Sequence, residues 1–103
     1  MSESESNETN APRDALFFQR LQRHDAAAWD ELVGVYSLPL QRHITQSLLS
    51  RNLPSDLMDD VEQQTWLTAV RLIEDFVWEN EKRFYHWFLS IATFHIKRVG
   101  NNE

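Results

Sequence analysis

The stretch DDVEQQTW, from Asp59 to Trp66, gathers three carboxylates, two amides and an indole in eight consecutive residues. Such a set could serve acid–base catalysis, a metal ion or contact with another protein. On a helix, the side chains of Asp59, Asp60 and Glu62 point in different directions, because each residue is rotated by about 100° from the one before it. The carboxylates therefore make a poor catalytic or metal-binding cluster, which leaves a protein-binding surface or an ordinary solvated face.

The other residues capable of chemistry lack the spacing that an active site or a metal site needs. The histidines form no His-x-x-x-His or Glu-x-x-His pair, which would place two ligands on one helical face. The chain also has no cysteine, no glycine-rich phosphate loop and no Gly-x-Ser-x-Gly elbow. We therefore expect a protein that is not an enzyme and that uses neither a metal nor another cofactor. The four histidines are His24, His43, His86 and His95.

Length and composition predict one small folded domain. With 103 residues, of which 42% are hydrophobic and 12% aromatic, the chain can build a single core. Residues 1–12 are rich in Ser, Glu and Asn and are expected to form a disordered tail before a domain over residues 13–100. The N-terminus does not resemble a signal peptide, and no stretch reaches the roughly 18 apolar residues that span a bilayer. We expect a cytoplasmic protein with no membrane partner.

The pattern after the tail predicts an all-α fold, a small antiparallel bundle of three to four helices. Only two glycines occur, and no alternating pattern bounded by turn residues indicates a strand. Asp25 is expected to cap the second helix, and Ser55 or Asp56 the third. Pro39 is expected to kink or restart the second helix, and Gly100 to end the fourth. The predicted helices cover about residues 12–23, 26–51, 55–76 and 82–99.

Helical spacing also predicts which side chains form the core. The first two helices are expected to bury Leu16, Phe17, Leu21, Trp29, Leu32, Val33, Tyr36, Leu40, Ile44, Leu48 and Leu49. The third is expected to bury Leu57, Met58, Val61, Ala69, Leu72, Ile73 and Phe76. The fourth is expected to bury most of Phe84, Tyr85, Trp87, Phe88, Leu89, Ile91, Phe94 and Ile96.

The third helix has an opposite face on which a leucine lies among polar side chains. An apolar centre with a polar rim is typical of a site that binds a partner helix, and a solvated face is the alternative. Asp59 and Glu62 are interpreted as background charge, and Trp66 is expected to pack at the boundary. The face itself carries Asp60, Gln63, Gln64, Leu67, Arg71 and Glu74.

The fourth helix has a narrow polar arc on which every charge is positive. Cations and hydroxyl groups in a row suit phosphate contacts, and neighbouring aromatic rings could stack on unpaired bases. The alternative is that the rings are core and the cations only keep the helix hydrated. The charge distribution favours two faces with different partners, because residues 54–81 carry eight acidic residues and residues 82–103 carry one. The arc carries Lys82, Arg83, His86, Ser90, Thr93 and Lys97.

Three motifs, in order, resemble conserved region two of bacterial extracytoplasmic-function sigma factors. RHDAAAWDELVGVY resembles the family's turn and Ala-aromatic-x-x-Leu-x-x-x-Tyr helix, through Asp25, Ala28, Trp29, Leu32 and Tyr36. DLMDDVEQQTWLTAVRLIEDF resembles the following Asp-apolar-x-Gln helix, through Asp60, Val61, Gln63 and Trp66. HWFLSIA resembles Trp-Leu-x-x-Ile-Ala, through Trp87, Ile91 and Ala92. The resemblance covers roughly residues 13–99.

The resemblance implies a sigma factor domain that docks on the β′ clamp helices of RNA polymerase and recognises and melts the minus-ten promoter element. It implies docking through Asp60, Gln63 and Gln64, to which the helical projection adds Leu67 and Arg71. It also implies that residues 77–98 contact the unpaired non-template strand, and it allows an anti-sigma factor as a further partner. The candidate DNA contacts are then Lys82, Arg83, His86, Ser90, Thr93, Lys97 and Arg98.

Two positions depart from the family pattern, since Phe94 stands where the family usually has Asn and Arg98 where it usually has Asp. The family also continues into a linker and a helix-turn-helix domain, so residues 101–103 are expected to be a truncated end. A second hypothesis is therefore a stand-alone decoy or adaptor that binds polymerase or an anti-sigma factor without recognising a promoter. A third is a structural helical bundle with no partner.

Overall fold

The computed structural model describes residues 14–101, which form four α-helices. Short 3-10 turns, Ser55–Leu57 and Ile73–Asp75, flank the third helix, and the described residues contain no strand. The prediction of an all-α bundle is confirmed. The predicted tail, residues 1–12, lies outside the described residues. The helices are α1 (Ala15–Gln22), α2 (Ala26–Ser50), α3 (Met58–Leu72) and α4 (Glu81–Asn101).

Aspartate caps begin the first two helices. The Asp14 carboxylate accepts a hydrogen bond from the Phe17 amide at 2.8 Å. The Asp25 carboxylate accepts one from the Ala27 amide at 3.0 Å, which confirms the cap predicted there. Between them, His24 adopts a φ of 60°, and the chain reverses at this point. The short loop thus packs α1 against α2.

The second helix runs without interruption through Pro39. A proline inside a helix lacks the amide that would donate to the preceding turn. Of the two outcomes predicted at Pro39, a kink or a restart, the restart does not occur, because buried side chains on both sides of the proline hold the two halves to the same core. These residues are Ala28, Leu32, Tyr36, Leu40, Ile44 and Leu48.

The ends of the last two helices differ from the predictions. The Ser55 side chain makes no capping hydrogen bond, and a 3-10 turn leads into α3 instead. The α4 helix begins where Asn80 accepts a hydrogen bond from the Arg83 amide at 2.9 Å. It continues through Gly100, which has no positive φ and therefore does not end the helix.

The core occupies the space between all four helices, but five of the predicted core residues are exposed. They lie on helix sides that no other element covers, and Leu16 is 72% exposed because α1 buries Phe18 in its place. Buried Thr65 and Thr68 were missed because a hydroxyl normally indicates a surface position; Thr65 donates to the Val61 carbonyl at 2.7 Å. The wrongly placed residues are Leu16, Val33, Leu49, Leu72 and Phe94.

An aromatic cluster fixes the segment between α3 and α4. The Phe18 ring lies 5.3 Å from Trp78 and 5.8 Å from Phe84, and the Phe76 ring lies 4.8 Å from Trp87. Within residues 14–101, no helix combines the length and the apolar character that crossing a bilayer requires.

Candidate functional site

The outward face of α3 carries the residues predicted for protein docking, and we call Asp60, Gln63, Gln64, Leu67 and Arg71 the α3 docking face. All five are exposed, and Leu67 is 55% exposed. The opposite side of the helix is buried at Val61, Thr65, Thr68, Ala69 and, one residue beyond its end, Ile73. The face is therefore presented by a helix whose other side is fixed in the core.

Glu62 anchors α3 to α2. Its carboxylate accepts hydrogen bonds from Ser37 at 3.4 Å, from Gln41 at 3.2 Å and from the Trp66 indole at 3.3 Å. The interpretation of Glu62 as background charge is therefore wrong, whereas Asp59 is exposed. Trp66 lies at the boundary, half-buried, with its ring 4.8 Å from Phe88.

The polar arc of α4 divides between surface and interior. Lys82, Arg83, His86, Ser90 and Lys97 are exposed. Thr93 instead is half-buried against α2. Its hydroxyl donates to the Leu89 carbonyl at 3.2 Å and lies 3.2 Å from the His43 ring nitrogen. The structure thus separates Thr93 from the rest of the predicted DNA-binding set.

Two of the exposed members of the arc are already engaged within the chain. Arg83 forms an ion pair with Glu79, with 2.9 Å between nitrogen and oxygen. The Ser90 hydroxyl donates to the Trp87 carbonyl at 2.6 Å. Both contacts are local, and a ligand would have to share or replace them.

A cleft of about 360 Å³ lies where the segment after α3 meets the start of α4. The Trp87 and Phe76 rings form its apolar part, and Val77, which is 76% exposed, borders it. Arg83 and His86 supply polar groups. A cleft with aromatic walls and a cation at its edge has the chemistry to hold a base beside its phosphate. Its lining residues are Phe76, Val77, Glu79, Arg83, His86 and Trp87.

A second cleft, of about 210 Å³, lies at the other end of the α3–α4 pair. Asp60 and Gln64 of the docking face line it together with His95 and Arg98 of α4. The Thr68 hydroxyl lies 2.8 Å from the His95 ring nitrogen and joins the two helices. The helices run antiparallel, since the start of α3 meets the end of α4.

Burial and two neighbouring cations act on the His95 ring beside this second cleft. Burial lowers the pKa of His95, and the positive charges of Arg98 and Arg71 lower it further. The Arg98 guanidinium lies 5.8 Å from the centre of the Phe94 ring. Arg98 therefore lies beside the α3 docking face and away from Lys82 and Arg83, although the sequence grouped it with them.

Among residues 14–101, no group of three His, Asp or Glu side chains is arranged to hold a metal ion.

Comparison with known proteins gives a consistent set of relatives, although no family model matches the chain. Over 79 residues, it is 33% identical to the ECF RNA polymerase sigma-E factors of Salmonella typhimurium (strain LT2), Escherichia coli (strain K12) and Shigella flexneri. The matched part is 77% of this chain and 38% of each relative, so the chain spans well under half the length of these proteins.

Proposed function

The chain carries an extracytoplasmic-function sigma factor region, homologous to the sigma-E factors, and from this premise we propose that it docks on RNA polymerase and opens promoter DNA during transcription initiation. Binding energy would drive both docking and promoter opening, and neither step requires a catalytic group. The proposed polymerase surface is the α3 docking face, and the proposed DNA surface is the first half of α4 with the segment that precedes it.

The observation that carries the proposal is the exposure of Leu67 among Asp60, Gln63 and Gln64 on a helix anchored from behind. Burial of a leucine side chain against a partner contributes roughly 1.5–3 kcal/mol. The amides and the carboxylate around it supply hydrogen bonds that fix the orientation of the partner. In the resembled family, the partner of this helix is the pair of clamp helices of the β′ subunit.

For DNA, we propose that the 360 Å³ cleft receives a base taken out of the stack. Unstacking costs a few kcal/mol per step, and stacking on an aromatic side chain returns roughly 1–3 kcal/mol per base. Arg83 and His86 line this cleft, where they can contact the adjoining phosphates. Lys82, one residue before Arg83, is also exposed. Arg83 would exchange its ion pair with Glu79 for a phosphate.

A retention assay with core RNA polymerase tests the docking step. The full chain carrying both Asp60→Ala and Gln63→Ala is expected to lose at least about tenfold in affinity, as is usual when central contacts of an interface are removed. Asp59→Ala, on the same turn but outside the docking face, is the matched control. Equal retention of the double variant and the wild type would contradict the proposed docking.

A second candidate function is a module that binds polymerase or an anti-sigma factor and does not act on DNA. It is supported by the contacts that already engage Arg83, Ser90 and Thr93 within the chain. Transcription from a minus-ten template separates the two candidates. A chain that competes with another sigma factor for core polymerase, and neither initiates nor binds the unpaired strand, has the second function.

A further inference from the structure

We propose that the polymerase-docking surface extends from α3 onto the C-terminal half of α4, where Phe94 and Arg98 contact the same partner. This inference rests on the proposed function and adds two residues to its protein interface. It also moves Arg98 from the DNA surface to the protein surface.

The two helices form one continuous surface at this end of the molecule. Asp60 and Gln64 share a cleft with Arg98, and the hydrogen bond between Thr68 and His95 joins the two helices beneath it. Leu67 directly precedes Thr68, and Phe94 directly precedes His95. Because the helices are antiparallel, the two preceding residues lie on the same side of the pair. A helix that lies on the α3 docking face therefore also meets the adjoining side of α4.

Phe94 supplies the second apolar group of this surface. It is 54% exposed, close to the value for Leu67, and the Arg98 guanidinium lies over its ring. Phenylalanine and arginine side chains are both enriched at protein interfaces relative to the rest of the surface. An exposed phenylalanine with an arginine over its ring offers both types at one position.

The charges define the partner and argue against DNA. Arg71 and Arg98 both lie close enough to lower the pKa of His95, while Asp60 lies in the same cleft as Arg98. A phosphate beside Arg98 would meet the Asp60 carboxylate, which repels it, and the aromatic cleft that could hold a base lies at the other end of the helix pair. The complementary partner is a helix pair with an apolar stripe, a cation facing Asp60 and a carboxylate facing Arg98 and Arg71.

The test measures the dissociation constant of core RNA polymerase for the full chain in the absence of DNA. Phe94→Ala is expected to raise it about 5- to 30-fold, and Arg98→Ala about fivefold. Gln63→Ala reports independently on the α3 docking face. Leu16→Ala and Arg23→Ala are the matched apolar and charged controls, since both residues are exposed on or next to α1. Circular dichroism and the Tm of each variant establish that it folds.

A parallel titration with a single-stranded minus-ten oligonucleotide separates protein from DNA contacts. Phe94→Ala and Arg98→Ala are expected to leave this binding within about twofold, whereas Lys82→Ala weakens it. If Gln63→Ala weakens polymerase binding but Phe94→Ala and Arg98→Ala do not, the extension onto α4 is wrong and the proposed function stands. If the folded wild-type chain does not bind core polymerase, the proposed function fails and the inference falls with it.

Discussion

At the scale of single residues, neighbours in sequence differ in whether they face solvent or hold α3 in place. Asp60 and Gln63 face outward, whereas Glu62 between them accepts hydrogen bonds from two side chains of α2 and from Trp66. The exposed docking positions and the hydrogen bonds that hold their helix thus alternate along one short stretch. Substitutions in this stretch should affect either binding or stability, according to the residue changed.

Glu62→Ala is expected to lower the free energy of unfolding by about 1–2 kcal/mol, because it removes the carboxylate that accepts hydrogen bonds from Ser37, Gln41 and Trp66. Urea denaturation measures the loss. Asp59→Ala, three positions before Glu62 and exposed, should change stability by no more than about 0.5 kcal/mol. Equal effects of the two substitutions would show that the Glu62 hydrogen bonds contribute nothing.

His95 makes stability depend on pH. Burial and the nearby cations lower its pKa from the ordinary value of 6.5, so the unfolded chain binds a proton more readily than the folded chain. The stability it contributes is fully present above pH 6.5 and is lost as the pH falls through the lowered pKa. His43 acts in the same direction, because burial lowers its pKa too.

Urea denaturation at about pH 7.5 and about pH 5 should therefore show a smaller drop in stability for His95→Gln than for the wild type. Glutamine can still hydrogen-bond to Thr68 but does not titrate. His43→Gln should remove a separate part of the drop. If the loss of stability is as large in His95→Gln as in the wild type, protonation of His95 does not destabilise the fold.

At the scale of helices, α2 contains both a proline and a glycine in its interior, and neither ends it. The glycine, Gly34, is exposed, and a Cβ atom added there would meet nothing within 4 Å. Its φ is not positive, so the backbone does not require glycine. The helix therefore bears the conformational cost of glycine without a packing reason.

Gly34→Ala is expected to raise the free energy of unfolding by about 0.5–1 kcal/mol, because alanine loses less backbone freedom on folding. Thermal or urea denaturation measures the gain. Gly100→Ala should also be tolerated, since the added Cβ would lie 3.5 Å from Leu53 in ordinary contact. A large loss of stability at Gly100 would instead indicate that the helix ends there.

The number and order of the helices follow from periodicity, but the exact rotation of each helix does not. In α1, eight residues are too few for spacing to distinguish Leu16 from Phe18, and the neighbours of the helix decide which is buried. The burial of Thr68 depends on a partner 27 residues away, His95. Pro39 also could not be interpreted from sequence alone. Proline disfavours a helix interior, but the buried contacts of α2 maintain the helix there.

At the scale of the whole molecule, the acidic and basic halves of the sequence meet along α3 and α4. Because these helices are antiparallel, the acidic start of α3 lies beside the basic end of α4. Sequence order alone placed Arg98 with Lys82 and Arg83, whereas the fold places it with Asp60 and Gln64. The exposure of the α3 docking face could be predicted from one helix, but the cleft depends on the pairing of two.

Binding of the isolated chain to a single-stranded minus-ten oligonucleotide should depend only moderately on salt. Residues 82–103 hold four Lys and Arg, so the slope of log K against log salt should be no steeper than about −3. If Arg98 belongs to the protein surface, at most three of these cations contact the strand, and the slope should be no steeper than about −2. Fluorescence anisotropy at several salt concentrations gives the slope. A markedly steeper slope would require cations outside this segment.

The α4 helix also fixes the distance between the two proposed surfaces. His86 and Arg98 stand on the same uninterrupted helix, and twelve residues at 1.5 Å each separate them by roughly 18 Å. In the proposed complex, this length sets how far the trapped base lies from the clamp helices, whatever the promoter sequence. One residue inserted between the two positions would rotate one surface by about 100° relative to the other, so that polymerase and DNA could no longer be engaged together.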